Sequence, residues 1–355
     1  MKNLVRGTGG VIAELANMGF EIDSHASARK HLADFLSKSS PEELITLTDR
    51  LGWVDEKRSA FVLGSGRVIG NGSYRPVFDV PTEHQEASKP RGSLDDWKKD
   101  VASLCVGNPL MIVATSLALA GPLFDLIKIE NCGLHLRCAS ASGKSTLQRL
   151  ACSVWGSPDL KLSWNGTRAG FEAIAARTSG TILVLDELAE VHPSAVSDVI
   201  YMLGNGRERQ RGTPRGGAQP SAHWRLPILS SGEISVEEHM TSTGKVKRAG
   251  LEMRLLDLPA DNQKYRAFDA LHGHSEGATF ARAIDAAAVA THGTAGPAFV
   301  EYIVGNNNDY AALFAAFEAP FKVEARRLFN YLNEPQIERA LTKFALIAFA
   351  GEIAS

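Results

Sequence analysis

The short apolar stretch Leu134-His135-Leu136 runs into Cys138-Ala139-Ser140-Ala141-Ser142-Gly143-Lys144-Ser145-Thr146. After this comes a segment whose apolar residues Leu147, Leu150, Ala151 and Val154 recur at helical spacing. Strand, small-residue loop and helix in that order are the context a P-loop requires. Backbone N–H groups of such a loop wrap a polyphosphate, and the helix N-terminus adds its positive end. The set Ser140, Ala141, Ser142, Gly143, Lys144, Ser145 and Thr146 is therefore expected to bind nucleotide. In it, Lys144 reaches the β- and γ-phosphates and the Ser145 hydroxyl ligates Mg²⁺. The motif asks for glycine at its first position and this chain has Cys138, which removes tolerance for unusual backbone angles there.

A second stretch strengthens the first. Thr181-Ile182-Leu183-Val184-Leu185 is an apolar run of the kind that forms a buried parallel strand, and it ends in Asp186-Glu187. Forty-two residues separate Lys144 from Asp186, enough for the P-loop helix, one strand and one more helix. The spacing casts Asp186 as the Mg²⁺-holding Walker B acid and Glu187 as the general base that polarises water. A glutamate directly after that aspartate points to ATPases rather than to P-loop kinases or small GTPases. A third strand, Leu226–Leu229, ends in Ser230-Ser231-Gly232-Glu233, so Ser230 and Ser231 are candidates to sense a γ-phosphate and orient water.

Between the Walker B helix and this strand lies Gly206-Arg207-Glu208-Arg209-Gln210-Arg211-Gly212-Thr213-Pro214-Arg215-Gly216-Gly217. Four arginines against one acid, with a glycine-rich tip, suit a β-hairpin presenting cations along one side. Arg207, Arg209, Arg211 and Arg215 are the candidates for salt-sensitive contact with a DNA backbone; a solvated basic loop is the plainer reading of the same residues. Downstream, Arg254 precedes the short apolar run Leu255-Leu256-Asp257-Leu258. An arginine so placed can complete the ATP site of a neighbouring subunit, with Arg248 as second choice.

Lysine and arginine (38) nearly cancel aspartate and glutamate (40), so net charge does not decide for or against nucleic acid and any basic surface must be local. Cys105, Cys132, Cys138 and Cys152 form no CxxC pair, which leaves reduced thiols as the expectation rather than zinc. His272-Gly273-His274 lacks a third ligand nearby and reads as a turn. The N-terminus has no apolar signal stretch, and the most apolar run, Leu110–Ala120, stops at Gly121-Pro122, too short for a bilayer; a cytoplasmic protein is expected.

The alternation of strands and helices from Gly133 to Leu229 predicts βαβ units and a parallel sheet. Three segments are expected: 1–92, small and α+β; 93–275, the P-loop ATPase core; and 276–355, helical and alanine-rich, its last pattern running to Ser355 without a stop signal, as in a truncated piece. Ala28, Leu32, Phe35 and Leu36 mark one helix, and Val11, Ile12, Leu15 and Ala16 another. Ser40-Pro41-Glu42-Glu43 reads as a helix start. Strand character falls at Ala60–Leu63 and Pro76-Val77-Phe78, a linker at His84–Arg91, and a capped helix start at Ser93-Leu94-Asp95-Asp96. Trp53, Trp97 and Trp155 are expected core anchors.

These blocks, in one order through most of the chain, resemble the "domain of unknown function 927" family of mobile-element ATPase domains, whose relatives include Cch-type cassette helicases. The resemblance is carried by Gly52-Trp53, Gly92-Ser93-Leu94-Asp95-Asp96-Trp97, Ala120-Gly121-Pro122-Leu123, Ser140–Thr146, Val154-Trp155-Gly156, Leu183–Leu188, Tyr201-Met202-Leu203-Gly204-Asn205-Gly206, Leu229–Glu233 and Arg248–Asp257. It implies an α/β, AAA+-like P-loop NTPase core akin to superfamily 3 and minichromosome-maintenance helicases. A small α+β segment would precede this core and a helical lid region would follow it. It further implies ATP and Mg²⁺ as cofactors, DNA as partner, a homo-oligomer of hexamer type and a role in element replication. An ATP-gated switch or loader without strand separation would use the same chemistry.

Overall fold

The protein is described from a computed structural model. The structure describes residues 12, 15, 16, 19–21, 25–38, 45–48, 50–55, 57–76, 80–139, 143–210, 221–241, 250–329 and 334–355. The chain divides into two compact units, Met1–Ile45 and Thr46–Ser355. In the first, helix α1 spans Ala26–Lys38, where the Leu32/Phe35/Leu36 spacing predicts it. The helix start at Ser40-Pro41-Glu42-Glu43 lies outside the described residues, as do Val77 and Phe78.

The second unit opens with short strands β1 (Thr46–Thr48), β2 (Gly52–Trp53), β3 (Ala60–Val62), β4 (Val68–Gly70) and β5 (Tyr74–Pro76). β2, β3 and β4 form an antiparallel sheet, and β1 pairs with β5 in parallel. Aromatic contacts fix the three-stranded sheet to the rest. Trp53 meets Phe61 edge-on at 5.1 Å, Phe61 stacks on Trp155 at 6.1 Å, and the Trp53 indole N–H donates to the Pro122 carbonyl at 3.0 Å. Trp97 is buried and donates to Ser153 Oγ at 3.1 Å, so all three tryptophans are core anchors.

The polar stretch expected as a linker is instead tied down. Residues Thr82–Ala87 form helix α2 behind Pro81, with Glu83 in its first turn. Good helix formers in an apolar-poor stretch explain the difference. Hydrogen bonds Ser157 N–H to Ala87 O (2.7 Å) and Arg91 N–H to His292 O (2.9 Å) then hold this segment. Ser93 caps α3 (Leu94–Trp97) in a capping box with Asp96. Helices α4 (Pro109–Leu119) and α5 (Gly121–Ile127) follow. No single described helix is long and apolar enough to cross a membrane; α4 and α5 pass only as a bent pair, and most of their residues are buried in the core.

The central sheet holds β6 (Cys132–Arg137), β7 (Leu162–Ser163), β8 (Leu183–Asp186), β9 (Pro227–Gly232) and β10 (Leu255–Pro259). Its order is β10-β6-β9-β8-β7, with every pairing parallel. Alternate residues feed two cores. Leu134, Leu136, Val184 and Leu229 pack into the larger one, and Leu183, Leu185, Ile228 and Leu255 into the other. Burial on both faces is why these strands read as apolar runs. Helix α6 (Lys144–Ser153) belongs to the larger core; α7 (Arg168–Arg177) and α8 (Pro193–Asn205) cover the other face. Helix α9 (Val236–Thr241) follows β9, and among the described residues helices α10 (Gly277–Ala290), α11 (Ala295–Asn306), α12 (Tyr310–Phe329) and α13 (Pro335–Ala354) follow β10.

Gly133 sets how closely β6 and β9 approach: a Cβ there would lie 2.2 Å from the Ile228 carbonyl oxygen and 2.6 Å from Ile228 Cβ. Both neighbours are central strands with nowhere to move. Gly133→Ala is expected to lower stability by about 3 kcal/mol or more, at or beyond the usual cost of overpacking. The midpoint of urea unfolding would read this as a shift at unchanged slope; an unshifted midpoint would refute the close approach.

Candidate nucleotide site

The P-loop sits where the β6 strand ends. Gly143 takes φ +104°, a left-handed conformation that glycine adopts freely, and opens α6. A side chain there would also be blocked, since a Cβ would lie 2.9 Å from Ala267 Cβ and 3.2 Å from Phe268 Cζ. Lys144 is buried, and its ammonium donates to the carbonyls of Cys138 (2.5 Å) and Ala139 (3.4 Å). Ser145 is half-buried and Thr146 buried. Cys138 lies outside the left-handed region, so the missing first glycine costs no backbone strain. Ser140, Ala141 and Ser142 lie outside the described residues.

The C-terminal end of β8 brings Asp186 beside this loop's strand layer. Ser231 Oγ donates to Asp186 Oδ1, and Lys161 Nζ donates to Asp186 Oδ2. Burial raises the Asp186 pKa, but the hydrogen bonds from Lys161 and Ser231 and the Lys161 charge outweigh it and leave the carboxyl below its ordinary value. Glu187 follows at φ +60°, ψ +76°, a left-handed conformation that costs a non-glycine residue about 1 kcal/mol or more. Its backbone N–H donates to Ser231 Oγ at 3.3 Å.

The two serines part company because side chains alternate across a strand. Ser231 meets Asp186, whereas Ser230 turns to the opposite face. There Ser230 Oγ accepts from the Trp164 indole at 2.9 Å and lies 2.9 Å from His135 Nδ1. His135 Nε2 faces the Ile234 carbonyl at 3.0 Å. A carbonyl only accepts, so Nε2 carries the proton, Nδ1 is the acceptor, and the Ser230 hydroxyl donates to it. The three side chains satisfy one another with a neutral imidazole.

Arg254 stands at the other end of the sheet, where its carbonyl accepts from Gly133 N–H at 2.8 Å. Its guanidinium lies 4.5 Å over the Tyr201 ring and donates to Asn205 Oδ1 and Gly250 O, both at 3.1 Å. Gly204 makes the room: a Cβ there would come 2.6 Å from Arg254 Cδ. Arg248 lies outside the described residues. The basic insert has an antiparallel base at the same end, with Arg207 bridged to His223, Glu208 N–H donating to Ala222 O (2.9 Å) and Trp224 N–H to Gly206 O (3.0 Å). Asn131 pins that base to the sheet through Leu203 O (3.0 Å), Trp224 O (3.3 Å) and Leu226 N–H (3.1 Å). Arg207 and Arg209 are exposed; Arg211 and Arg215 lie outside the described residues.

Two features escape a sequence reading. Lys161 carries no motif and reaches Asp186 only because β7 pairs beside β8. A cavity of about 410 Å³ borders Gly143 and is lined by Tyr265, Arg266, Phe268, Glu276 and Ala281; it is within the size range of small-molecule sites. Among the described residues no group of three or more His, Cys, Asp or Glu could hold a metal. Ser145 and Asp186 are hard oxygen donors, and such a sparse set suits Mg²⁺ completed by phosphate oxygens.

A family model described as Domain of unknown function (DUF927) matches residues 1–223. Among solved structures the chain is similar to "SCCmec type IV Cch - active helicase", at 19% identity and a TM-score of 0.72 over 98% of this chain and 62% of that one. This chain thus spans less than two thirds of that helicase, and the likeness shows a shared fold. Two further structures match at TM-scores too low to carry argument. One is the apo C-terminal region of NrS-1 (0.34, 11% identity, 89% of this chain, 77% of that chain). The other is NtrX from Brucella abortus with ADP (0.27, 17% identity, 54% of this chain, 45% of that chain). No curated protein matches.

His135 yields a pH prediction. Burial, opposed in part by the Ile234 carbonyl, holds its pKa below the ordinary imidazole value. The unfolded chain therefore binds the proton more readily, and stability rises with pH. The His135 contribution is complete above the unfolded value near ~6.5 and declines below it, by at most about 1.4 kcal/mol per pH unit. Urea midpoints between pH 7.5 and 5 are expected to fall for the parent and to fall less steeply for His135→Asn; parallel slopes would refute the buried neutral imidazole.

Proposed function

The chain belongs to the DUF927 family, and from that membership and the P-loop geometry we propose that it is the ATP-hydrolysing, AAA+-like part of a DNA helicase or translocase serving replication of a phage, plasmid or integrative element. The single observation that carries the reading is the strained Glu187, held in a left-handed turn directly after Asp186 with its N–H on Ser231. Strain of this kind persists only where surrounding structure over-determines it, and it clusters at sites of chemistry.

In this reading Lys144 leaves the Cys138 and Ala139 carbonyls for the β- and γ-phosphates, and Ser140–Thr146 wrap them. The purine and ribose take the cavity beside Gly143, against Tyr265 and Phe268. Ser145 and Asp186 would hold Mg²⁺, which would supply positive charge to offset that of the phosphates. Ser231 orients Asp186, and Glu187 accepts a proton from the attacking water. Arg254, already fixed on Tyr201 and Asn205, faces the ATP of a neighbouring subunit in a ring of hexamer type. Arg207, Arg209, Arg211 and Arg215 line the DNA path. The division 1–92, 93–275 and 276–355 then corresponds to a leading segment, the motor core and a helical lid.

Lys144→Ala and Glu187→Gln are each expected to reduce ATP turnover by about a hundredfold or more, the usual cost of losing a phosphate clamp or general base. Single-stranded DNA is expected to stimulate the parent but not Arg207→Ala/Arg209→Ala, and the stimulation should fade with salt. Phosphate-release assays across this set decide the matter. Turnover independent of Lys144 would defeat the ATPase assignment; Lys144-dependent turnover indifferent to DNA would leave an ATP-gated switch.

A further inference from the structure

Lys161 sits between the turn Pro158–Leu160 and strand β7, whose register places Ser163 opposite Asp186. The backbone there is well fixed, because Lys161 N–H donates to Pro158 O (3.1 Å) and Trp164 N–H to Asp186 O (3.0 Å). Its ammonium pairs with Asp186 Oδ2, and both side chains are mostly covered, at 20% and 25% exposure. Ser231 already occupies Oδ1. Both carboxylate oxygens of the acid cast as metal holder are therefore engaged by the protein's own donors.

Of the two donors, Ser231 is neutral and can stay while Asp186 faces a dication. Lys161 carries the same sign as the metal, and two like charges within about 4 Å repel strongly in a partly buried site. We propose that Lys161 is a resident counter-cation of Asp186, so that metal loading is a cation exchange in which Lys161 must release Oδ2. This rests on the ATPase reading above. It makes Lys161 a positioning residue that holds Asp186 aimed before nucleotide arrives, and it sets a threshold for divalent cation that the site's oxygen donors alone would not set.

The test titrates Mn²⁺, followed as loss of the free-ion paramagnetic resonance signal, into the full chain with a non-hydrolysable ATP analogue. Lys161→Met, which keeps length and removes charge, is expected to reach half-saturation at about fivefold lower Mn²⁺, the worth of one partly exposed ion pair. Lys161→Arg, which keeps the pair, is expected to need as much Mn²⁺ as the parent or more. Thermal unfolding without metal should place Lys161→Met below the parent, with the gap narrowing once Mn²⁺ and analogue are added. An unchanged or weaker Mn²⁺ affinity in Lys161→Met, or a tighter one in Lys161→Arg, overturns the proposal; should the methionine variant not fold, the arginine titration decides. Analogue binding that Lys144→Ala leaves intact would overturn the ATPase reading itself, whereas Lys144-dependent binding with no Lys161 effect overturns only the counter-cation.

Discussion

Three parallel strands in fixed register position the P-loop, Asp186 and Ser231 relative to one another. Leu185 on β8 and His135 on β6 both stand opposite Ser230 of β9. That one row places the start of the P-loop, Asp186 and Ser231 within a residue or two of the C-terminal ends of their strands. Side chains alternate, so a slip of a single residue would send Ser231 into the core and Ser230 to Asp186. The network of Ser230, His135 and Trp164 guards against this. It fills the far side of β9 with polar groups that satisfy one another only in the observed register, and a buried hydroxyl left without them would cost about 1–3 kcal/mol.

Much of this was legible in the chain. The apolar run Thr181–Leu185 before Asp186-Glu187, the helical spacing after Gly143 and the forty-two residues between Lys144 and Asp186 are local or nearly local signals, and local signals survive folding. The strands and helices from β6 to β9 lie within a few residues of their expected places. What the sequence withholds is lateral information. Which of two adjacent serines meets Asp186 depends on pleat, and the pairing of Lys161 with Asp186 depends on strand order. The polar stretch after Pro81 reads as a linker because its fixing partners, Ser157 and His292, are far away in sequence. A cavity wall built from Tyr265, Phe268 and Glu276 has no motif at all, since apolar residues in a loop look like any other small core.

The glycines show how tightly function and packing share one backbone. Gly143 needs both its positive φ and its empty Cβ position, because Ala267 and Phe268 press on the loop. Gly204 is empty for another reason: the aliphatic part of Arg254 lies where its side chain would be. An arginine stacked on Tyr201 and bonded to Asn205 has lost its rotamer freedom within its own chain. A cation fixed in this way keeps its charge in one place without further ordering cost.

Helix α8 and strand β9 run between the two ends of the sheet. At one end β9 carries Ser231 against Asp186; at the other it follows directly from the base of the basic insert, pinned by Asn131. Helix α8 begins a few residues after Glu187 and ends at Asn205, the partner of Arg254. Neither element has slack, since its core-facing residues are buried in a close-packed interior that transmits displacement rather than absorbing it. A change at Asp186 and Glu187 therefore has two stiff connections to the arginines at the far end. Asp186 and Glu187 stand at one end of the sheet and Arg207, Arg209 and Arg254 at the other, and the register of β9 and the length of α8 fix the distance between them.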